Sequence, residues 1–501
     1  MNLNWTQFFW SSLPLTIVVA SGLAVMMVGL LLPRSRLVLL ALSLLGIAAS
    51  FAASIYLWSW RLFSSVSMIT VDPFAFFLYM VLLFIGFLTL LNHYEYLEKQ
   101  QTHYPEVYSL TLFALSGMML MVSTTHLLVF FLALEVMSLA VYVLVGIKRR
   151  DPRSNEGAMK YFILGALTAG VLLYGIALLY GITGQFDLKL IAIHPVRAED
   201  LNIFRIGILL VLIAFAFKVA AVPFHFWTPD VYEGAPLSVT GLMATAVKTA
   251  AFGAFLRSLM PLIGINSIPI QEFLQFLSLA TMIVGNLVAL YQTNVKRMLA
   301  YSSIAHAGYL LVGVTAAYVD GHLNQDALGA PIFYLLAYGI LTVGAFAVAS
   351  AVATDKSDCA EQSDYAGLGT RSPKLAAAMA VFMVGLTGIP PTIGFAGKFF
   401  IFREALARGL YSLVIVGVLM SAISAYYYLR VVVAMYFARA EEEEIRRLPV
   451  PVTKFALAFV VLFCAVMTLY IGLVPSRYLK MASVSGFIPL RTIARGPVPP
   501  F

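Results

Sequence analysis

FKVAAVPFHFWTPDVYEGAP, residues 217–236, sets Lys218 in an apolar run and Pro223 a little more than one helical turn later. Proline has no N–H to give to the carbonyl four residues back, here that of Val219, and its ring crowds the preceding turn. A helix through this stretch should therefore loosen beside the lysine. In a bilayer, freed carbonyls persist only where protein or water meets them, so the break brings polar groups or water to Lys218. A second stretch, GIPPTIGFAGKFF (388–400), joins Pro390 and Pro391 to Lys398 in the same way.

The surroundings are those of a membrane protein. The 501 residues are 61% hydrophobic and 11% charged, with a mean hydropathy of +0.91, outside the range of an ordinary soluble domain. About fourteen apolar windows of about 20 residues follow one another between short polar breaks, each long enough to cross the hydrocarbon as a helix. The windows are continuous rather than alternating, which disfavours a barrel. An all-α polytopic fold follows, with single spans expected at 203–227, 233–262 and 373–402, among others. The first window has no basic residue before it and no small-residue cleavage site, so it is expected to stay as a helix.

Placing Lys and Arg on alternate sides of fourteen helices puts about 16 on one side, Lys148, Lys296, Lys356 and Arg446 among them. The internal loops of the other side receive about seven, Arg257 among them. Both termini then lie outside. The net charge of +8 sits mainly in the inner loops, where it reads as topology and contact with the anionic headgroups of the lipid bilayer, not as nucleic-acid binding. The acidic run Glu441–Glu444 reads as a solvated linker, and the tail after it as irregular.

Several kinds of chemistry are excluded. Cys359 and Cys464 are too few for a cysteine-held iron–sulfur cluster or a Cys-rich zinc site. Seven histidines are scattered without the stacked pairs that two haems need, and no GxGxxG or GxxxxGK[ST] stretch offers a nucleotide site. No metal site and no catalytic redox residue are expected in this chain.

What remains is a set of charges inside the spans: Glu135, Lys218, Lys248, Lys398 and Arg430, with Lys160 and His306 nearer the ends. Each costs on the order of 3 kcal/mol to insert, so it reads as functional. Burial favours a neutral amine and a nearby carboxylate favours the ammonium, so a lysine beside a movable carboxylate is a switchable proton site. Glu135 is the candidate partner of Lys218. The alternative is a static ion pair that fixes helix packing. His225 and Asp230 read as loop-anchoring groups beside the break, with His225 also a candidate for proton uptake.

These stretches, with LALEVMSLAVYVLVG (132–146), GLMATAVKTAAFGAF (241–255) and NVKRMLAYSSIAHAGYL (294–310), resemble the antiporter-like proton-pumping subunits of respiratory complex I. The resemblance runs over nearly the whole chain and points to the subunit N branch of NADH-quinone oxidoreductase. The VYEGAP turn stands where the sister subunits L and M have another stretch. Lys248 stands where they tend to carry histidine, and Lys398 where M carries glutamate.

The resemblance implies fourteen helices and two inverted five-helix repeats with discontinuous helices 7 and 12. The divisions are then 1–106 for three leading helices, 107–262 and 263–437 for the repeats, and 438–501 for a linker, the last helix and a tail. It implies a proton pathway through Glu135, Lys218, Lys248 and Lys398, with Lys160, Lys296 and His306 as further candidates beside the His225 already singled out at the break. It implies no cofactor in this chain, with FMN, iron–sulfur clusters and quinone held by partner subunits, and neighbours such as subunits M, K and J. The location implied is the bacterial inner membrane. An Mrp-type cation/proton antiporter subunit, a membrane subunit of a related hydrogenase and a purely structural scaffold are the rival readings.

Overall fold

The computed structural model describes residues 5–66, 68–101, 104–262, 269–319, 322–355, 357–437, 451 and 453–484. The acidic run, the tail after residue 484, Lys356 and Arg446 lie outside them. Helices α1 (Trp5–Leu31) and α2 (Arg36–Ser59) pair first, and a hairpin of β1 (Ser64–Val66) and β2 (Ile69–Val71) follows, with Ser64 opposite Val71. Asp72 then starts α3 (Pro73–Lys99). Its carboxylate accepts from the Ala75 N–H at 2.9 Å, and Pro73 takes the first helical position, where no donor is needed.

Helices α4 (Glu106–Met121) and α5 (Leu127–Val145) lead to α6 (Pro152–Thr183), which repeats the Asp-Pro start at Asp151 and stops at Gly184 in the left-handed region, φ +64°. The short α7 (Leu188–Ile193) precedes α8 (Leu201–Lys218), α9 (Trp227–Gly234), α10 (Leu237–Leu242) and α11 (Lys248–Leu262). The second half runs through α12 (Ile270–Leu290), α13 (Val295–Ala317), the two-residue strands β3 (Tyr318–Val319) and β4 (His322–Leu323), and α14 (Gln325–Val352). It ends with α15 (Leu368–Arg371), α16 (Pro373–Thr387), α17 (Ile393–Ala407), α18 (Tyr411–Phe437), α19 (Phe455–Leu473) and α20 (Pro475–Val484).

Among the described residues, 12 helical stretches are long and apolar enough to cross a membrane, and α4 and α16 are shorter apolar helices. They form two zones. The stretch 237–259, α13, α14 and α3 are buried over most or all of their length, whereas α1, α6 and α18 turn most of theirs outward. Outward residues such as Leu31, Leu45, Ile163, Leu167 and Leu462 are apolar, as a lipid-facing surface requires.

Three expected single spans are interrupted. The first, 203–227, stops at Lys218, beside the lysine as the proline argument expects, and Ala220 there enters the left-handed region at φ +61°. The stretch 373–402 divides into α16 and α17. The span 233–262 contains a π-helical turn, Met243–Val247, between α10 and α11, a form that often marks functional sites. Arg257 is not in a loop. It lies in α11 with its side chain 2% exposed, donates from Nε to the Val122 carbonyl at 2.6 Å and pairs with Asp72 at 2.5 Å, so the buried start of α3 keeps a counter-charge.

The halves share a local device. His126 caps α5 and forms an isolated antiparallel bridge with Asp187; Asn294 caps α13 and forms one with Glu361.

Candidate functional site

Lys218, Lys248, Lys398 and His306 are all buried, none more than 6% exposed. Lys218 is the last residue of α8, and its ammonium donates to Ser138 Oγ at 2.9 Å and Tyr161 OH at 3.2 Å. Tyr161 stacks on Trp227 with the ring planes 9° apart, and Trp227 Nε1 donates at 3.2 Å to the Phe217 carbonyl. The indole thus shares the Phe217 carbonyl with the Ala220 N–H, which donates to it at 3.0 Å where the helix stops.

Glu135 and Lys218 form no ion pair. Glu135 is half-buried on α5, one turn before Ser138, close enough for the two charges to influence each other but not to touch. The hydroxyl of Ser138 stands at the lysine in its place. At the break itself Pro223 and Phe226 face outward, and the His225 ring lies against Phe226 with its Nδ1 buried and unpartnered.

Lys248 begins α11 immediately after the π turn and donates to the Ser303 carbonyl at 2.5 Å and to Ser303 Oγ at 2.6 Å. One helical turn along α13 from Ser303 comes His306, and one more brings Tyr309; residues three apart share a helix face. His306 Nδ1 meets Tyr334 OH at 2.6 Å and Nε2 meets Tyr428 OH at 3.0 Å. Both partners are hydroxyls, which can give or accept, so the ring can exchange the roles of its two nitrogens.

At the far end Lys398 stands 4.6 Å from the centre of the Tyr309 ring. Its ammonium donates to the last carbonyls of α16, Leu386 at 3.0 Å and Thr387 at 2.9 Å, and to Ser421 Oγ at 2.9 Å. The second break therefore exposes the acceptors that hold the lysine. Gly388 has φ +91°, a conformation that favours glycine, and a Cβ there would press on Lys398 Cδ at 3.0 Å.

Lys160 and Lys296 belong to two ion clusters near the loops. Lys160 pairs with Glu156 and Asp230, both at 2.7 Å, and Arg297 joins Asp230 at 2.9 Å and Glu233 at 2.7 Å. Burial alone would raise the Asp230 carboxyl, but the Lys160 and Arg297 cations hold it below the usual value. Lys296 is not a loop charge: its side chain is 2% exposed and pairs with Asp358 at 2.7 Å. Asp358 also accepts from Lys148 at 3.0 Å and Tyr96 OH at 2.6 Å. Burial would raise its carboxyl, and Lys296 and Lys148 outweigh that, holding it well below the carboxylate range.

Arg430 acts on the end of α12, donating to the Leu290 carbonyl at 3.2 Å and to that of Gln292. Sequence reasoning missed Asp358, whose polar loop gives no sign of a buried role. It also missed Ser138, Tyr161 and Ser303, although hydroxyls at helical spacing from the charges were a readable signal. Among the described residues no three His, Cys, Asp or Glu side chains gather as a metal site would need.

The pattern that defines the NADH:quinone oxidoreductase/Mrp antiporter transmembrane family matches residues 124–424. NADH-quinone oxidoreductase subunit N of Trichlorobacter lovleyi is 42% identical over 491 residues, covering 96% of this chain and 99% of its own. A chain of respiratory complex I from Thermus thermophilus, solved with bound aureothin, superposes with a TM-score of 0.79 at 34% identity, covering 94% of this chain and 99% of that one. A chain of the Mrp complex from Dietzia sp. reaches a TM-score of 0.78 at 22% identity over 95% of this chain and 97% of its own, a likeness of fold.

Proposed function

Because this chain belongs to the subunit N family of NADH-quinone oxidoreductase, we propose that it is a proton-translocating subunit of that complex's membrane arm, working through Lys218, Lys248, His306 and Lys398. The observation that carries the pathway is that Lys248 and Lys398 meet one face of α13, at Ser303 and at Tyr309, with His306 between them. NADH oxidation and quinone reduction belong to partner subunits, which hold FMN, the iron–sulfur clusters and quinone; subunits M, K and J are the expected neighbours. Residues 107–262 and 263–437 are read as the two repeats, and both termini as lying on the outer side of a bacterial inner membrane.

Electron transfer elsewhere in the complex changes the charge felt by Glu135. With Glu135 one turn from Ser138, its ionisation or displacement alters the potential at Lys218 without breaking a direct bond. The proton then passes to Lys248, through His306 between its two tyrosines, to Lys398 and out. Each proton moved against 100 mV needs about 2.3 kcal/mol, within the range over which nearby charges move a buried amine.

The likeness to the Mrp complex is one of fold, whereas the likeness to subunit N extends to 42% identity along 96% of the chain, which favours the oxidoreductase over a free-standing antiporter. The test is Lys218→Ala in membranes where assembly is confirmed. Impaired NADH-driven proton pumping is expected, and pumping at the normal rate overturns the pathway. Glu135→Gln should slow turnover with assembly intact.

A further inference from the structure

Helix α3, the stretch from α10 into α11, and α14 pack against one another through the centre of the protein. Along this seam Asn92, His93, Thr249, Thr342 and Ser350 are all at most 3% exposed. Their Asn92 Oδ1, His93 Nε2, Thr249 Oγ1 and Ser350 Oγ atoms meet no protein partner, and the Thr342 hydroxyl has only that of Tyr338 near it. An unmet buried polar atom costs about 1–3 kcal/mol, so four on three packed helices is a pattern expected of groups that hold water.

At its loop end the seam joins the Asp358 cluster. Tyr96 donates to Asp358 and lies against the backbone of Leu237. Ser238, the next residue, bonds His93 Nδ1 at 2.7 Å, and His93 is one turn from Tyr96 on α3. Helices α3 and α14 run side by side in one direction, as Ile85 against Gly339 and Lys99 Nζ on the Ala351 carbonyl show. Gly241 lies against Phe346 and the Tyr338 ring is 5.7 Å from Lys248 Nζ, so Thr342 lies at a depth between His93 and Lys248.

We propose that His93, with Tyr96 and Ser238, carries protons from the Asp358 cluster along this water-holding seam to Lys248, a second uptake route that bypasses Lys218. The inference rests on the reading of Lys248 as a proton site. No electron moves: one imidazole nitrogen takes a proton from the Asp358 side while the other gives one up to water on the Lys248 side, and rotation of the hydroxyls resets the chain.

The experiment uses the intact oxidoreductase complex reconstituted in sealed vesicles. His93→Gln keeps an amide that can bond Ser238 but cannot take up and release a proton. The expected result is unchanged assembly and thermal midpoint, coupled NADH oxidation slowed by about threefold, and a larger solvent deuterium isotope effect on coupled turnover. Tyr96→Phe should slow coupled turnover and raise the isotope effect in the same way, with a lowered thermal midpoint because Asp358 loses a donor, and the double variant should turn over no slower than the slower single one, since both lie on one route.

Should either variant fail to assemble, Ser238→Ala carries the same expectation with only a hydroxyl removed. Assembled variants with wild-type coupled rates and isotope effects overturn the route. Lys218→Ala separates the two failures: impaired pumping there alongside normal His93→Gln and Tyr96→Phe rejects the second route alone, and normal pumping in Lys218→Ala rejects the parent reading.

Discussion

Replacing Asp358 with asparagine keeps the side chain's shape and removes its charge. In the native protein the carboxylate accepts from Lys296 at 2.7 Å, Lys148 at 3.0 Å and Tyr96 at 2.6 Å. Asparagine has one acceptor oxygen instead of two and turns an NH2 donor toward an ammonium. Lys148 is partly open to solvent and can recover hydration, but Lys296, 2% exposed, cannot. Leaving one buried charge unpaired costs roughly 3–5 kcal/mol, which sets the expected loss.

The assay is thermal unfolding of the purified complex, with Lys296→Met and the double variant beside Asp358→Asn. Removing the stranded ammonium as well should restore stability, so the double variant should be more stable than Asp358→Asn alone. A silent Asp358→Asn, or single losses that simply add, refutes the reasoning. The pH dependence has a definite sign. The folded carboxyl lies below the ordinary aspartate value of about 3.9, so its contribution is complete above that value and is lost as pH falls through the depressed one. The gap between wild type and Asp358→Asn should therefore be flat near neutrality and shrink below about pH 4.

Four further outcomes follow. Gly388→Ala places a methyl against Lys398 in a backbone conformation that costs alanine about 1–2 kcal/mol, and it should cut coupled proton pumping while the complex still assembles, as vesicle pumping will report. Asp72→Asn strands the buried Arg257 and should destabilise by roughly 3 kcal/mol or more on thermal unfolding, with protons pumped per electron unchanged in the surviving complex. Lys160→Ala removes an ammonium that is 41% exposed, so it should cost at most about 1 kcal/mol, less at high salt, in a melting series against ionic strength. Ser138→Asp sets a carboxylate beside Lys218 and should hold the lysine charged, stopping pumping in an assembled complex; normal pumping would contradict the role given to the neutral hydroxyl.

Much of this arrangement was legible because its causes are local. A proline costs a helix its hydrogen bond wherever it sits, so both breaks could be read from Pro223 and from Pro390 with Pro391. A lysine in an apolar window is expensive wherever it sits, so Lys218, Lys248 and Lys398 stood out. The left-handed turn at Ala220 that ends α8 was not legible, since it depends on what packs around it. The π turn before Lys248 is built from Met, Ala, Thr and Val, which read as ordinary helix. The remaining errors concern partners distant in sequence: Arg257 lies 185 residues from Asp72, and Asp358 lies 210 from Lys148. Loop charges look solvated until the fold closes over them.

The partners separate proton sites from structural charges. Arg257 and Lys296 are buried and face carboxylates, an arrangement whose breaking costs several kcal/mol, so those charges stay fixed. Lys218, Lys248 and Lys398 are just as buried but are held by neutral oxygens: Ser138 and Tyr161, the two oxygens of Ser303, and the end of α16 with Ser421. Lys218 ends α8 and Lys398 reaches back to the end of α16, so both ammoniums sit at helix C-termini, where the peptide dipoles favour a positive charge by about 0.3–2 kcal/mol. Support of that size is comparable to the 2.3 kcal/mol per proton set by about 100 mV across a membrane. A carboxylate in direct contact would exceed it and hold the proton in place. Glu135 at one remove, beyond Ser138, can bias Lys218 without locking it, which is what a proton site that must both load and release requires.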